Sequence, residues 1–221
     1  MSEMKVGGSV SLGGPIEFEN IDVGGSIKVK GDLTVRGEFK IGGSASIEGS
    51  LKTRSGKIGG TMVVQGELNA REFTIGGSGK IGEGVIGELI VGGSLKAGKL
   101  YVREARISGN YTGVIIGKTI IVEKKTKIKG IVIAEKLVAQ KNSEIEEAYV
   151  IEAELERGAE VNKLYCVKCI LGKKSWIGVL RYKDSYKDEG SEIDKAEKTD
   201  IIPELKVLKE LENKLEKYYD N

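Results

Sequence analysis

Two thiols, Cys166 and Cys169, are the side chains whose type and spacing come closest to a chemical motif in this sequence. A Cys-x-x-Cys pair at the start of a helix is redox-active, and one such pair supplies half of a zinc site. Here the pair sits in Leu164-Tyr165-Cys166-Val167-Lys168-Cys169-Ile170-Leu171, a run that reads as strand. Both thiols fit inward positions of that strand, where cysteine packs as a small core residue. The alternative role is a metal shared between two chains. The 221 residues contain no histidine, so the usual general base and nitrogen metal ligand is missing. Glu144, Glu146 and Glu147 form an acidic group, which reads as a solvated edge because no such cluster recurs at one position. The Gly-Gly-Ser triplets suggest phosphate loops, but none is followed by Lys-Ser or Lys-Thr, and no helix follows to offer its N-terminus.

The elements that position these residues are written as a repeat. Gly-Gly-Ser occurs at Gly7, Gly24, Gly42, Gly76 and Gly92, with Gly59-Gly60-Thr61 filling the gap. The starts are separated by 17, 18, 17, 17 and 16 residues, and each pair follows a Val or Ile. Past residue 107 the glycines fade, but the apolar column continues through Ile107, Val122, Val138, Leu155 and Leu171. A second column runs Leu12, Val29, Ile47, Val64, Ile81, Ala97, Thr112, Ile128, Ile145, Val161 and Ile177. Within each period apolar and charged residues alternate, as in Ile27-Lys28-Val29-Lys30, so one set points in and the other out. No single period can bury its apolar side chains alone, and stacking in register solves that.

The spacing therefore predicts an all-β solenoid: a parallel β-helix over residues 6–183, of about eleven turns and about 50 Å at ~4.8 Å per turn. Residues 184–200 read as a polar linker. From 201 to 219 an amphipathic helix is expected, with Ile201, Leu205, Leu208, Leu211, Leu215 and Tyr218 on one stripe. A solenoid must cap its ends or use them. Candidates at the first turn are Met4 and Val6. At the far end they are Trp176 and Leu180, with Leu205, Leu208, Leu211 and Leu215 forming a helical lid or a partner-binding face. Catalytic β-helices fit the sequence poorly. Left-handed hexapeptide coils keep about 18 residues per turn and their enzymes use histidine, while lyase-type coils carry their sites on large loops.

Charge is dense but balanced, with 35 basic and 33 acidic side chains, which argues against a nucleic-acid partner. It is unevenly spread. Residues 1–130 carry 19 basic and 13 acidic side chains, a net of +6, and residues 131–221 a net of −4, so opposite ends are expected to meet head to tail. The N-terminus lacks the apolar core of a signal peptide, and no stretch reaches the length of a membrane span, so a cytoplasmic location is expected.

The turns resemble those of bactofilins, a family of polymer-forming cytoskeletal proteins. The similarity rests on Val29-Lys30-Gly31-Asp32-Leu33, Ile47-Glu48-Gly49-Ser50-Leu51, Val64-Gln65-Gly66-Glu67-Leu68 and Ile128-Lys129-Gly130-Ile131-Val132. What the resemblance implies is a right-handed coil that polymerises through its ends without nucleotide, in filaments associated with membranes. The expectation is a non-enzymatic scaffold whose main partner is itself, with another protein or the membrane periphery as further partners. No cofactor or small-molecule substrate is expected. The alternative is a capped β-helix that binds another protein along its side.

Overall fold

The computed structural model describes residues 2–219, with side chains through Glu216. Its core is set by the alternation. In every turn the aliphatic residues face inward and stack on the equivalent residues of the turns above and below, while backbone groups pair between turns. The described strands form one continuous parallel sheet wound into a solenoid of about twelve turns.

In the first turns each face is a separate short strand: β1 (Met4–Val6), β2 (Val10–Gly13), β3 (Ile16–Phe18), β4 (Ile21–Val23) and β5 (Ser26–Lys30). Then come β6 (Leu33–Ile41), β7 (Ser44–Ile47) and β8 (Leu51–Ile58). From there each turn is one bent strand: β9 (Thr61–Ile75), β10 (Ser78–Val91), β11 (Ser94–Ile107) and β12 (Asn110–Val122). The series continues with β13 (Lys127–Ala139), β14 (Glu144–Leu155), β15 (Glu160–Leu171) and β16 (Trp176–Asp188).

The fading of the glycines has a structural cause, because the corner changes type. In the first half Gly-Gly corners stack so closely that a Cβ on Gly77 would lie 2.1 Å from the Gly60 carbonyl oxygen. In the second half the corner is a four-residue turn closed by hydrogen bonds such as Ser143 N to Gln140 O (3.1 Å) and Ser175 N to Gly172 O (3.2 Å). Its third residue is left-handed: Lys125 (φ 60°), Asn142 (φ 56°), Gly158 (φ 71°) and Lys174 (φ 58°). The fourth is small and buried, and Thr126 and Ser175 hydrogen-bond carbonyls through their hydroxyls, to Ile107 O (3.2 Å) and Gly172 O (2.7 Å). A lysine in this conformation costs about 1–2 kcal/mol. Replacing Lys125 or Lys174 by glycine is therefore expected to be neutral or to stabilise by up to about 1 kcal/mol, after the greater unfolded-state entropy of glycine. A chemical-denaturation midpoint that falls for both variants would show that the side chains, not the backbone, matter there.

Three expectations change, the first being that Val138 is half-exposed and Ala139 takes the inward place between Val122 and Leu155. Thr112 is exposed, and Tyr111 takes the inward place between Leu95 and Ile128. The register shifts after Lys96, and the fully buried Tyr111 ring fills space that two smaller inward residues occupy in earlier turns, its hydroxyl donating to Val114 O (3.0 Å). The segment 184–200 is not a linker. β16 runs on to Asp188, and β17 (Glu192–Lys198) adds a further parallel turn, pairing Ile177 with Ile193 and Leu180 with Ala196. A terminal turn has only one neighbour to pack on, so it needs few apolar residues and reads as polar.

Candidate functional site

Self-association needs surfaces that are unsatisfied in the single chain, and the two ends of the rod differ sharply in this respect. At the first turn β1, β2 and β3 pair on one side only, with β4, β5 and β6. Met4, Val6, Val10, Leu12 and Ile16 are half-buried, whereas their partners one turn later, Ile21, Val23, Ile27, Val29 and Leu33, are buried. The start of the rod thus presents an open apolar column and free strand edges. Met4 and Val6 belong to this open surface.

The last turn is different. Two apolar columns end in charges, Asp188 above Leu171 and Lys198 above Tyr182, and two end in the half-buried Ile193 above Ile177 and the exposed Ala196 above Leu180. Arg181 pairs with Glu197 (3.2 Å), and so does Lys195 (2.6 Å). Hydrogen bonds from the Ser191 and Gly190 backbone hold the Asp188 carboxyl below its ordinary pKa. Leu180 is fully buried beneath this turn, and Trp176 lies half-buried on the outer face, its indole N–H donating to Asp194 (3.2 Å). Neither is an end residue.

The expected helix does not cover the far end. A 3-10 turn (Pro203–Val207) leads into α1 (Leu208–Tyr219), and both lie along one side of the rod, against β10 to β14. Leu208, Leu211 and Leu215, together with Ile202, are buried against Val85, Tyr101, Ile116, Ile133 and Tyr149. Those five residues form an outward-facing column, one per turn. A 12-residue helix is about 18 Å long, close to the rise of four turns, so the lengths match. Tyr101 donates from its hydroxyl to Glu210 (3.3 Å), the Lys214 ammonium lies 4.5 Å from its ring centre, and Lys118 pairs with Glu212 (3.4 Å). Leu205 is partly buried beside this cluster, Ile201 is exposed, and the Tyr218 side chain lies outside the described residues. Beyond the helix the column continues as Tyr165, stacked on Tyr149 at 4.6 Å, with Arg181 over its ring.

The covered column was missed in the sequence, although a signal exists. Strict alternation breaks into apolar triplets at Leu100-Tyr101-Val102, Val132-Ile133-Ala134 and Ala148-Tyr149-Val150. Earlier turns keep a polar residue at that place, Lys52 and Asn69.

Cys166 and Cys169 both face the core and are buried. A hydrogen bond to Cys169, with burial behind it, pushes the Cys166 thiol far above its ordinary pKa, which keeps it protonated and a poor ligand. A metal shared with a second chain would require Cys166 to leave the core. Among the described residues no three metal-capable side chains cluster, and no helix is long and apolar enough to cross a membrane. Comparison with family models, with curated proteins and with solved structures gives no match.

Proposed function

We propose that this protein is a structural scaffold that self-associates through the first turn of its solenoid, without nucleotide and without catalysis. The observation that carries this reading is the contrast between the ends: an apolar, half-exposed first turn against a last turn tipped with charge. Burying the first turn of one copy against that of another removes apolar area from water and pairs free strand edges. Among the described strands the outer edge of β17 is free as well, but the last turn offers less apolar area to bury. The resemblance of the turns to those of bactofilins supports the same class of function. Head-to-tail stacking in register, attractive on net charge alone, would set Val10 on Ile193 and Ile16 on Ala196 but also Val6 on Asp188 and Phe18 on Lys198. The desolvation of those two charges opposes it.

Sedimentation across a concentration series tests the proposal. The wild-type protein is expected to gain mass with concentration, and Val10→Lys/Leu12→Lys to lose that gain while keeping its β-sheet circular dichroism. Mass that does not change with concentration in the wild type would favour the second reading, a discrete module that binds another protein along its side. The charged last turn is the feature that fits that reading.

A further inference from the structure

One flat face of the rod is free of the helix and carries a sign change along its length. It is formed by the first outward positions of each turn from β10 to β17. On its N-terminal half stand Lys80, Lys96, Lys127 and Lys129, all exposed. On its C-terminal half stand Glu144, Glu146, Glu160 and Asp194, also exposed. The register is direct: Lys80 stacks on Lys96, Lys96 on Thr112, Thr112 on Lys129, while Lys127 stacks on Glu144 and Glu144 on Glu160. The sign flips between β13 and β14, where Lys127 and Glu144 form an ion pair. Lys129 and Glu146 repeat the change two residues further along their strands.

We propose that this face is an interface with a second copy of the chain, the two rods lying side by side and antiparallel about a dyad between β13 and β14. Such a dyad sets the outer turn of each half against the outer turn of the opposite half. Lys129 then meets the partner copy's acidic column at the level of Glu146, and Lys80 meets it at the level of Asp194. The Lys127–Glu144 pair joins its symmetry mate in a four-membered network. Both rods have the same spacing between turns, so once one pair is in register all are. A parallel pair related by a dyad along the rod would instead bring lysine to lysine and carboxylate to carboxylate, so the charges select the antiparallel form.

Eight turns overlap in this arrangement, about 38 Å of rod by about 13 Å of strand, or roughly 500 Å² per copy. That lies at the weak end of specific interfaces, so the contact is reversible and salt-sensitive. It also leaves the first four turns of each rod projecting at opposite poles. The pair is therefore a bipolar unit with an open apolar end at each pole. The side contact is independent of the end contact, but the two together would extend the assembly in both directions.

Charge exchange tests the interface on the full chain, carried in the Val10→Lys/Leu12→Lys background so that end contacts do not contribute. In that background the protein is expected to dimerise reversibly, with the dimer weakened at least about tenfold when salt rises from about 50 to 500 mM. Lys127→Glu/Lys129→Glu and Glu144→Lys/Glu146→Lys should each sediment as monomers. Their equimolar mixture should recover a dimer containing one of each, and all four substitutions in one chain should recover the homodimer. These positions are exposed, so unchanged thermal melts would show that folding is intact. A monomer at every concentration at low salt, or single variants that dimerise as the parent does, would overturn the proposal, as would a mixture that fails to pair. Lys124, Lys125 and Lys141 stand on the adjoining corner, so a dimer that tightens with salt would mean that repulsion at that rim dominates and would equally overturn it.

Discussion

An aspartate at Val64 is expected to cost several kcal/mol and to separate the first four turns of the rod from the rest, while an aspartate at Lys52 changes almost nothing. Val64 stacks between Ile47 and Ile81, all three essentially without exposed surface. A carboxylate there meets only aliphatic neighbours above, below and across, and burying it unpaired costs several kcal/mol even after protonation relieves part of the penalty. Domain stability is commonly about 5–15 kcal/mol in total. In a solenoid the damage has a direction, because each turn is held only by its neighbours. Turns after the lesion keep their own stack and the helix bound along their side. Turns before it lose the template on which they rest. Denaturant unfolding of Val64→Asp should therefore split into two transitions, with limited proteolysis cutting first within residues 7–60. Lys52 points outward beside Arg36, Arg54 and Arg71, where a new carboxylate gains rather than loses favourable charge. An effect within about 0.5 kcal/mol is expected there. Equal damage at both positions would contradict the inward–outward alternation of the fold.

That alternation was legible because every turn had to obey it. Val23, Ile41, Ile58, Ile75 and Val91 are spaced by the turn length, and each lies buried in the same column. Glycine was a weaker guide than apolar spacing. It marks only one of two corner types, and in Glu123-Lys124-Lys125-Thr126 the left-handed position is filled by lysine, which has no such preference to reveal it. The last turn was illegible for another reason. Only Ile193 packs on the core, and the outer side of Glu192–Lys198 faces solvent as a linker would.

The helix itself could be read from Leu205, Leu208, Leu211 and Leu215, but its destination could not, since a stripe of leucines does not say what it covers. The answer lay in the other partner, the apolar triplets of β11, β13 and β14. These put Tyr101, Ile133 and Tyr149 on an outer surface that a bare rod would keep polar. Ends and side also remain separate in energy. The residues under the helix form a cluster of their own, apart from the continuous core of the solenoid.

This separation gives the second large effect. Leu211→Asp/Leu215→Asp is expected to release the helix while leaving the solenoid folded. Four aliphatic side chains, Ile202, Leu208, Leu211 and Leu215, leave water when the helix docks, at about 1.5–3 kcal/mol each before the entropy of ordering the segment. The exposed Lys118–Glu212 pair adds less than about 1 kcal/mol. Two buried aspartates exceed what remains. A free helix of 12 residues is marginal in water, so the released segment should lose helical structure as well as contact. Its departure uncovers Val85, Tyr101, Ile116, Ile133 and Tyr149 as a continuous apolar strip along five turns. Strips of that kind bind apolar dyes and drive association. The expected signature is a rise in dye fluorescence, rapid proteolysis within residues 199–216, and strand circular dichroism that stays in place. Association through the uncovered strip should resist salt, which distinguishes it from the charged face. If the solenoid instead unfolds together with the helix in one transition, the strap is part of the core's own stability. If neither dye binding nor proteolysis changes, the helix does not depend on these leucines for its seat.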